Sequence, residues 1–303
     1  MDAFSRRAVL IGSLAAASCG RATDTPKQKA EADTGVPQDD VRFAAIEKRI
    51  GGRLGVAALN TADGAMLTHW ANERFAMCSS FKWLLAAAVL RAEQEGRLQA
   101  DAHIAYTAHD LPANSPRTQE HLARGWMSVD DLCAAAVEVS DNGAANLLLN
   151  QIEGPTGLTR FARSTGDSVT RLDRTETSLN ENAPGDPRDT STPAAMAQTM
   201  QNVLLGETVL SAANREKLIG WMVASETGLT RLRAGLPKDW RAGDKTGTSA
   251  GEHNATNDVA IAWPPGKPPI IIVSYMSEST ADADARNAAH AEVARIVAQT
   301  WGA

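Results

Sequence analysis

Strand-forming sequence lies only near the two ends of this chain, and that distribution limits the folds open to it. Leu54 to Leu59 and Met66 to Trp70 read as strands, joined by the turn-rich tetrad Thr61-Ala62-Asp63-Gly64. Val259 to Trp263 and Ile270 to Met276 read as strands by their β-branched content. Between these pairs the pattern is helical. Ser79 to Arg97 repeats apolar residues (Phe81, Leu84, Leu85, Ala88) at steps of three and four. Ser128 to Val139 opens with the capping pattern Ser128-Val129-Asp130-Asp131. Further helical stretches run over 143–152, 155–165, 193–205 and 211–223, with Pro193 suited to a first turn. A helix over Val41 to Ile50 precedes the first strand, with Val41, Ala44, Ala45 and Ile50 on one side and Gly51-Gly52 as its stop. A last amphipathic helix spans about Asp282 to Trp301.

This order predicts an α+β protein. Strands from both chain ends share one antiparallel sheet flanked by helices. The helical middle, about 78–222, forms an inserted all-α lobe on an α/β lobe made of 38–77 and about 223–303. A cleft at their junction is the expected ligand site. At 303 residues, folding buries about three-quarters of the chain's surface, enough for a core without disulfides. Three cysteines exclude a disulfide scaffold, and a net charge of −6 argues against a nucleic-acid partner held through phosphates.

The N-terminus reads as an address. Arg6 and Arg7 precede an apolar run, Ala8 to Ser18, that is too short to span a bilayer. The stretch Ser5-Arg6-Arg7-Ala8-Val9-Leu10 is similar to a twin-arginine export signal. Cys19 follows Ala16-Ala17-Ser18, a sequence similar to a lipoprotein cleavage box, although Ala16 stands where Leu is commonest. Two outcomes stay open for residues 1–19: a plain cleaved signal, or a lipid on Cys19 as the one link to a membrane. Either exports the protein to the periplasm. Loss of Asp2, Arg6 and Arg7 leaves 28 basic and 35 acidic residues. Residues 20–37 are polar, with almost no large apolar side chain, and read as a tether.

Three short motifs fall where the cleft is expected. Ser79-Ser80-Phe81-Lys82 gives S-x-x-K at a helix start, where one turn lets the Lys82 amine reach the Ser79 hydroxyl. A serine needs a base to act as a nucleophile, and a lysine of lowered pKa can serve. About one S-x-x-K arises by chance in such a chain, so taken alone the motif favours a capped helix with a solvated lysine. Ser140-Asp141-Asn142 separates two helical patterns; Ser140 can relay a proton, Asn142 can hold a carbonyl or Lys82, and a capping turn is the plain alternative. In Lys245-Thr246-Gly247-Thr248, Lys245 supplies a cation and the two threonines supply hydroxyls for a carboxylate. Gly247 is expected to let a ligand approach the backbone, and a polar edge strand is the plain alternative.

In this order and spacing the three motifs resemble those of the penicillin-recognising serine enzymes, specifically class A β-lactamases. The resemblance covers about 38–303. It implies five strands in the sheet and a monomer acting on penicillins and cephalosporins. It also implies an Ω-loop at Arg174-Thr175-Glu176-Thr177-Ser178-Leu179-Asn180. Glu176 and Asn180 match the positions that hold the hydrolytic water, and Asp189 matches the loop-closing acid, with Arg174 as its partner. Alone, Glu176 reads equally as a solvated loop acid. The implied chemistry is attack by Ser79 on the lactam carbonyl. The oxyanion would sit between the backbone N–H groups of Ser79 and Thr248, with Ser140 donating a proton to the departing nitrogen. Glu176 would then activate water against the ester. The resemblance leaves open whether Lys82 or Glu176 is the acylation base. It implies neither a cofactor nor a metal, and the six histidines (69, 103, 109, 121, 253, 290) lack ligand spacing.

Several positions depart from the family pattern. Thr256 precedes Asn257-Asp258 where an arginine often stands, and Arg231 aligns with the alternative arginine of several carbapenemases; a surface salt bridge is the plain reading of Arg231. Asn114 replaces the cleft aromatic before Ser115-Pro116, and Thr177 replaces a usual proline. Ser249 and Ala86 stand where Cys78 and Cys133 find partners in relatives, so both cysteines are expected to be free and buried. Two other readings stay open: a D,D-peptidase that binds penicillin without efficient hydrolysis, and a non-catalytic β-lactam sensor.

Overall fold

Apolar residues alternate across the strands so that both faces of a sheet demand cover, and the computed structural model shows how that demand is met. It describes residues 39–249, 251 and 253–302. The export signal (1–19), the tether (20–37) and Cys19 lie outside the described residues.

The chain opens with α1 (Val41–Ile50), β1 (Arg53–Asn60), β2 (Met66–His69) and the two-residue β3 (Phe75–Ala76). A 3₁₀ turn, Cys78–Phe81, leads into α2 (Lys82–Gln94). The middle holds β4 (His103–Ala105), α3 (Pro116–Glu120), β5 (Trp126–Ser128), α4 (Val129–Glu138), α5 (Asn142–Gln151), α6 (Gly154–Ser164), β6 (Thr190–Ser191), α7 (Pro193–Leu204), α8 (Ala212–Val223) and α9 (Leu232–Gly235). It closes with β7 (Arg241–Ser249), β8 (Ala255–Trp263), β9 (Ile270–Ser277) and α10 (Ala283–Trp301). The main sheet has five strands in the order β2-β1-β9-β8-β7, each pairing antiparallel. The α+β reading and the joining of both chain ends in one sheet therefore hold. The β1–β9 register, Arg53↔Ser277 through Asn60↔Ile270, makes that join.

Each sheet face has its own core. Leu54, Val56 and Ala58 of β1, Ala260 and Ala262 of β8, and Ile270, Ile272 and Met276 of β9 pack with Phe43 and Ile46 of α1 and Val293 and Val297 of α10. The intervening residues, Ala57, Leu59, Val259, Ile261, Ile271, Val273 and Tyr275, join the core formed with α2 and α7. Period-two alternation thus serves two hydrophobic layers, which is why β9 is apolar almost without interruption.

Two helix expectations need correction. The buried side of α1 is Phe43, Ile46 and Ile50; Val41, Ala44 and Ala45 are exposed. Its three largest apolar side chains, at steps of three and four, take the sheet-facing side once Asp40 caps the helix by accepting from Arg42 N. Secondly, Ser79 precedes α2 rather than lying within it. From Lys82 to Leu90 every residue of α2 is buried, so the expected face (Phe81, Leu84, Leu85, Ala88) is only part of a helix covered on all sides.

Two small ladders carry no periodic signal: β4–β5, and β3–β6 with register Phe75↔Ser191 and Ala76↔Thr190. The second matters for the site. It joins the residues just before the Ser79 turn to those just after Asp189, and Met77 N donates to Asp189 O at 2.9 Å beside it.

Candidate active site

Four segments converge on Ser79, and each is held by identifiable bonds. The Ser79 turn begins at Cys78, whose φ of 45° lies in the left-handed region that non-glycine residues seldom occupy. The edge strand β7 presses on this turn at Gly247. A Cβ there would sit 2.5 Å from Met77 O and 3.0 Å from Ser80 N. The approach of the Ser79 turn therefore already requires glycine at position 247.

Ser79 Oγ donates to Glu176 Oε1 at 2.9 Å, and Lys82 Nζ lies 3.0 Å from the same oxygen. Lys82 is fully buried. Its ammonium also donates to Asn142 Oδ1 at 2.5 Å and Ser140 O at 2.9 Å, so acceptors from three residues surround it. The lysine and serine of the S-x-x-K motif thus meet through the Glu176 carboxylate. Burial holds the Lys82 amine below its usual pKa, and the Glu176 charge opposes that shift.

Ser140 has φ 61° at the junction of α4 and α5. Its neighbour Asp141 fixes the junction by accepting from Ala144 N at 2.8 Å and from Arg117 N and Thr118 N at 2.9 Å each. Ser140 Oγ then lies between two cations, accepting from Lys245 Nζ at 3.0 Å and Lys82 Nζ at 3.4 Å. Burial and the nearby Lys82 charge lower the Lys245 amine to about 7. Lysine at this position is consequently a titrating cation near neutral pH.

Glu176 is held on both sides. Asn180 Nδ2 donates to its Oε2 at 2.7 Å. Asn146 grips its backbone twice, accepting from Glu176 N and donating to Glu176 O, each at 2.9 Å. Asn146 was missed by the motif reading, although it stands one helical turn after Asn142 on α5 and so shares its face. The Glu176–Thr177 peptide is cis. The base of this loop is closed by Arg174 Nε to Asp189 Oδ2 at 2.6 Å, while Asp189 Oδ1 accepts from Asp173 N and Arg174 N.

On β7, Thr246 and Thr248 share the face opposite Lys245. Thr246 Oγ1 pairs with Thr227 Oγ1 at 2.7 Å. Arg231 is buried, not a surface salt bridge. It donates to Gly247 O at 3.0 Å, Asn257 O at 2.7 Å, Asn287 Oδ1 at 2.9 Å and Thr248 Oγ1 at 2.7 Å. Its guanidinium reaches the cleft edge through Thr248. Asn114 turns to the site as well, donating to Ser140 O at 3.3 Å. Cys78 and Cys133 are free and buried, as expected, and burial with the Glu176 charge pushes the Cys78 thiol up to about 12. Hydrogen bonds and an ion pair thus join Ser79, Glu176, Lys82, Asn142, Ser140, Lys245 and Asn180, while Arg174 with Asp189 closes the loop base and Arg231 with Thr248 stands at the edge strand.

This geometry has close counterparts. Residues 40–301 match the model of the β-lactamase enzyme family. The chain is 44% identical to β-lactamase AST-1 of Nocardia asteroides over 98% of this chain and 96% of that protein. It is also 44% identical to β-lactamase CTX-M-8 of Citrobacter amalonaticus over 84% of this chain and 87% of that one. Among solved structures, a reconstructed last common ancestor of Gram-negative bacterial class A β-lactamases superposes with a TM-score of 0.84 at 56% identity, covering 86% of this chain and 98% of that one. A β-lactamase from Xanthomonas campestris gives 0.82 at 48% identity, covering 85% and 95%. On this fold and these matches, the chain belongs to the β-lactamase enzyme family, class A.

Proposed function

We propose that this enzyme hydrolyses the β-lactam amide of penicillins and cephalosporins through an acyl-enzyme on Ser79, and so confers β-lactam resistance. The observation that carries the reading is the meeting of Ser79 Oγ and Lys82 Nζ at Glu176 Oε1. A carboxylate in direct contact with the nucleophile can take its proton, with Lys82 balancing the charge. Attack on the lactam carbonyl forms an alkoxide held by the backbone N–H groups of Ser79 and Thr248; each such donor is worth roughly 10²–10³ in rate. Collapse breaks the C–N bond, and Ser140 Oγ, flanked by Lys245 and Lys82, gives its proton to the nitrogen; Lys82 replaces that proton and takes up the one Glu176 drew from Ser79, so Glu176 is again a carboxylate. Lys245, Thr246 and Thr248, with Arg231 behind Thr248, bind the substrate carboxylate. Glu176, aligned by Asn180, then draws a proton from water attacking the ester and returns it to Ser79 Oγ as the Oγ–C bond breaks.

The contact between Glu176 and Ser79 favours hydrolysis over the alternative of a peptidase or sensor that keeps the acyl group. We read residues 1–19 as an export signal, 20–37 as a tether and 38–303 as the enzymatic body, working as a periplasmic monomer with or without a lipid on Cys19. Among the described residues, no helix is long and apolar enough to cross a membrane. The test is loss of benzylpenicillin absorbance by the purified enzyme and by Ser79→Ala. Wild-type turnover, abolished in a variant that melts as the wild type does, supports the assignment. Equal turnover by the variant overturns it.

A further inference from the structure

Thr246 of β7 has a hydroxyl partner from outside the three motifs. Thr227 lies in the link between α8 and α9, where segment 225–228 runs along β7. That segment is closely seated. Ser225 Oγ donates to Asp244 Oδ2 at 3.3 Å, Glu226 N donates to Glu138 O at 2.9 Å, and Arg231 N donates to Gly228 O at 3.0 Å. A Cβ on Gly228 would stand 1.8 Å from Asp244 Oδ2, so a glycine is what lets the segment lie against the strand. The result is a row of hydroxyls: Ser225 Oγ is 3.5 Å from Thr227 Oγ1, which is 2.7 Å from Thr246 Oγ1.

We propose that Thr227 is a positioning residue for substrate binding: its hydroxyl donates to Thr246 Oγ1 and leaves the Thr246 proton for the substrate carboxylate. The proposal rests on the β-lactam reading above. Each hydroxyl has one proton. Ser225 gives its own to the Asp244 carboxylate, so it cannot also give one to Thr227. Within the threonine pair only one partner donates. When Thr246 donates, its proton is used inside the protein, and it meets a carboxylate lone pair to lone pair. When Thr227 donates, Thr246 keeps its proton for the ligand, and the bond it accepts strengthens the bond it gives. A carboxylate only accepts, so the bound substrate selects the second arrangement. Arg231 does the same for Thr248. A guanidinium only donates, so Thr248 Oγ1 accepts from it at 2.7 Å and its proton stays free. The two hydroxyls on that face of β7 are thus each backed by a donor, one charged and one neutral.

The test is steady-state hydrolysis of benzylpenicillin by wild type, Thr227→Val, Thr227→Ser, Thr246→Val and the double variant Thr227→Val with Thr246→Val. Valine keeps the shape of Thr227 and removes its hydroxyl, serine keeps the hydroxyl, and Thr227→Ala repeats the removal should the valine protein not fold. We expect Thr227→Val to raise KM at least about fivefold with kcat within about twofold, the pattern of a binding bond made alike before and during reaction. Thr227→Ser stays within about twofold of wild type in both. In the Thr246→Val background the same Thr227→Val change moves KM less than about twofold, because the hydroxyl it serves is gone. An unchanged KM for Thr227→Val overturns the proposal. So does an equal rise in both backgrounds, or a loss of kcat that serine does not restore, since either would make Thr227 a packing residue of the wall. A wild-type enzyme that leaves benzylpenicillin intact overturns the hydrolytic reading itself, and the role of Thr227 with it.

Discussion

Lys245 carries the most direct pH signature of this site. Its amine sits near 7 because burial and the Lys82 charge both disfavour the ammonium. The protonated form therefore dominates below pH 7 and fades above it, and a substrate carboxylate needs the protonated form. We predict that kcat/KM for benzylpenicillin falls above about pH 7, by up to about tenfold per unit, since this parameter reports the free enzyme. Lys245→Arg keeps its charge and shifts that limb upward. A wild-type profile flat to pH 9 would contradict the assignment. At this scale the motifs were legible because serine, lysine and asparagine recur at fixed short spacing. Gly247 was legible as a constraint but not for its cause, since nothing in the local sequence says that Met77 O lies 2.5 Å from where its Cβ would stand. Asn146 could be placed on the face of Asn142, but its grip on the Glu176 backbone, 30 residues away, is set only by the fold.

At the scale of elements, position comes from helix ends and short ladders. Asn146 on α5 sets the height of the Glu176 segment through two backbone bonds. Asn146→Leu leaves Glu176 N and O without those partners, at about 1–3 kcal/mol for each buried group. We expect its kcat for benzylpenicillin to fall at least about tenfold, with the acyl-enzyme accumulating because Glu176 is displaced from the ester. Unchanged kcat at an unchanged melting temperature would show that Asn146 does not position the loop. The long strands and helices were readable from periodicity. The ladders β3–β6 and β4–β5 were not, since two or three residues cannot display a period, and they form only because the flanking elements bring them together. The buried side of α1 was misread for a related reason. Counting small apolar residues gave Ala44 and Ala45 the weight that bulk gives to Phe43 and Ile46.

Over the whole molecule, both faces of the sheet are sealed, and one sealed group titrates. His290 of α10 is fully buried, with Nδ1 2.8 Å from Ser274 Oγ and Nε2 2.9 Å from Thr256 O. The carbonyl can only accept, so Nε2 carries the proton and Ser274 donates to Nδ1. Burial and the Arg231 charge lower its pKa to about 3. The unfolded chain takes up this proton near pH 6.5 and the folded one does not. Stability is thus full above pH 6.5 and declines as pH falls towards 3, by up to about 1.4 kcal/mol per unit from this group. Urea unfolding from pH 7 to 4 measures the slope, and His290→Gln should make it shallower. An unaltered slope would assign the acid sensitivity to other groups.

We propose a division of labour in which Ser79 takes the acyl group and Glu176 releases it. Intact-protein mass spectrometry after mixing with benzylpenicillin tests it on wild type and on Glu176→Ala. We predict rapid turnover without a lasting adduct for the wild type, and one covalent penicilloyl adduct accumulating on the variant. A wild type that itself holds the adduct for hours, or a variant that clears it as fast as the wild type, would contradict this division between Ser79 and Glu176.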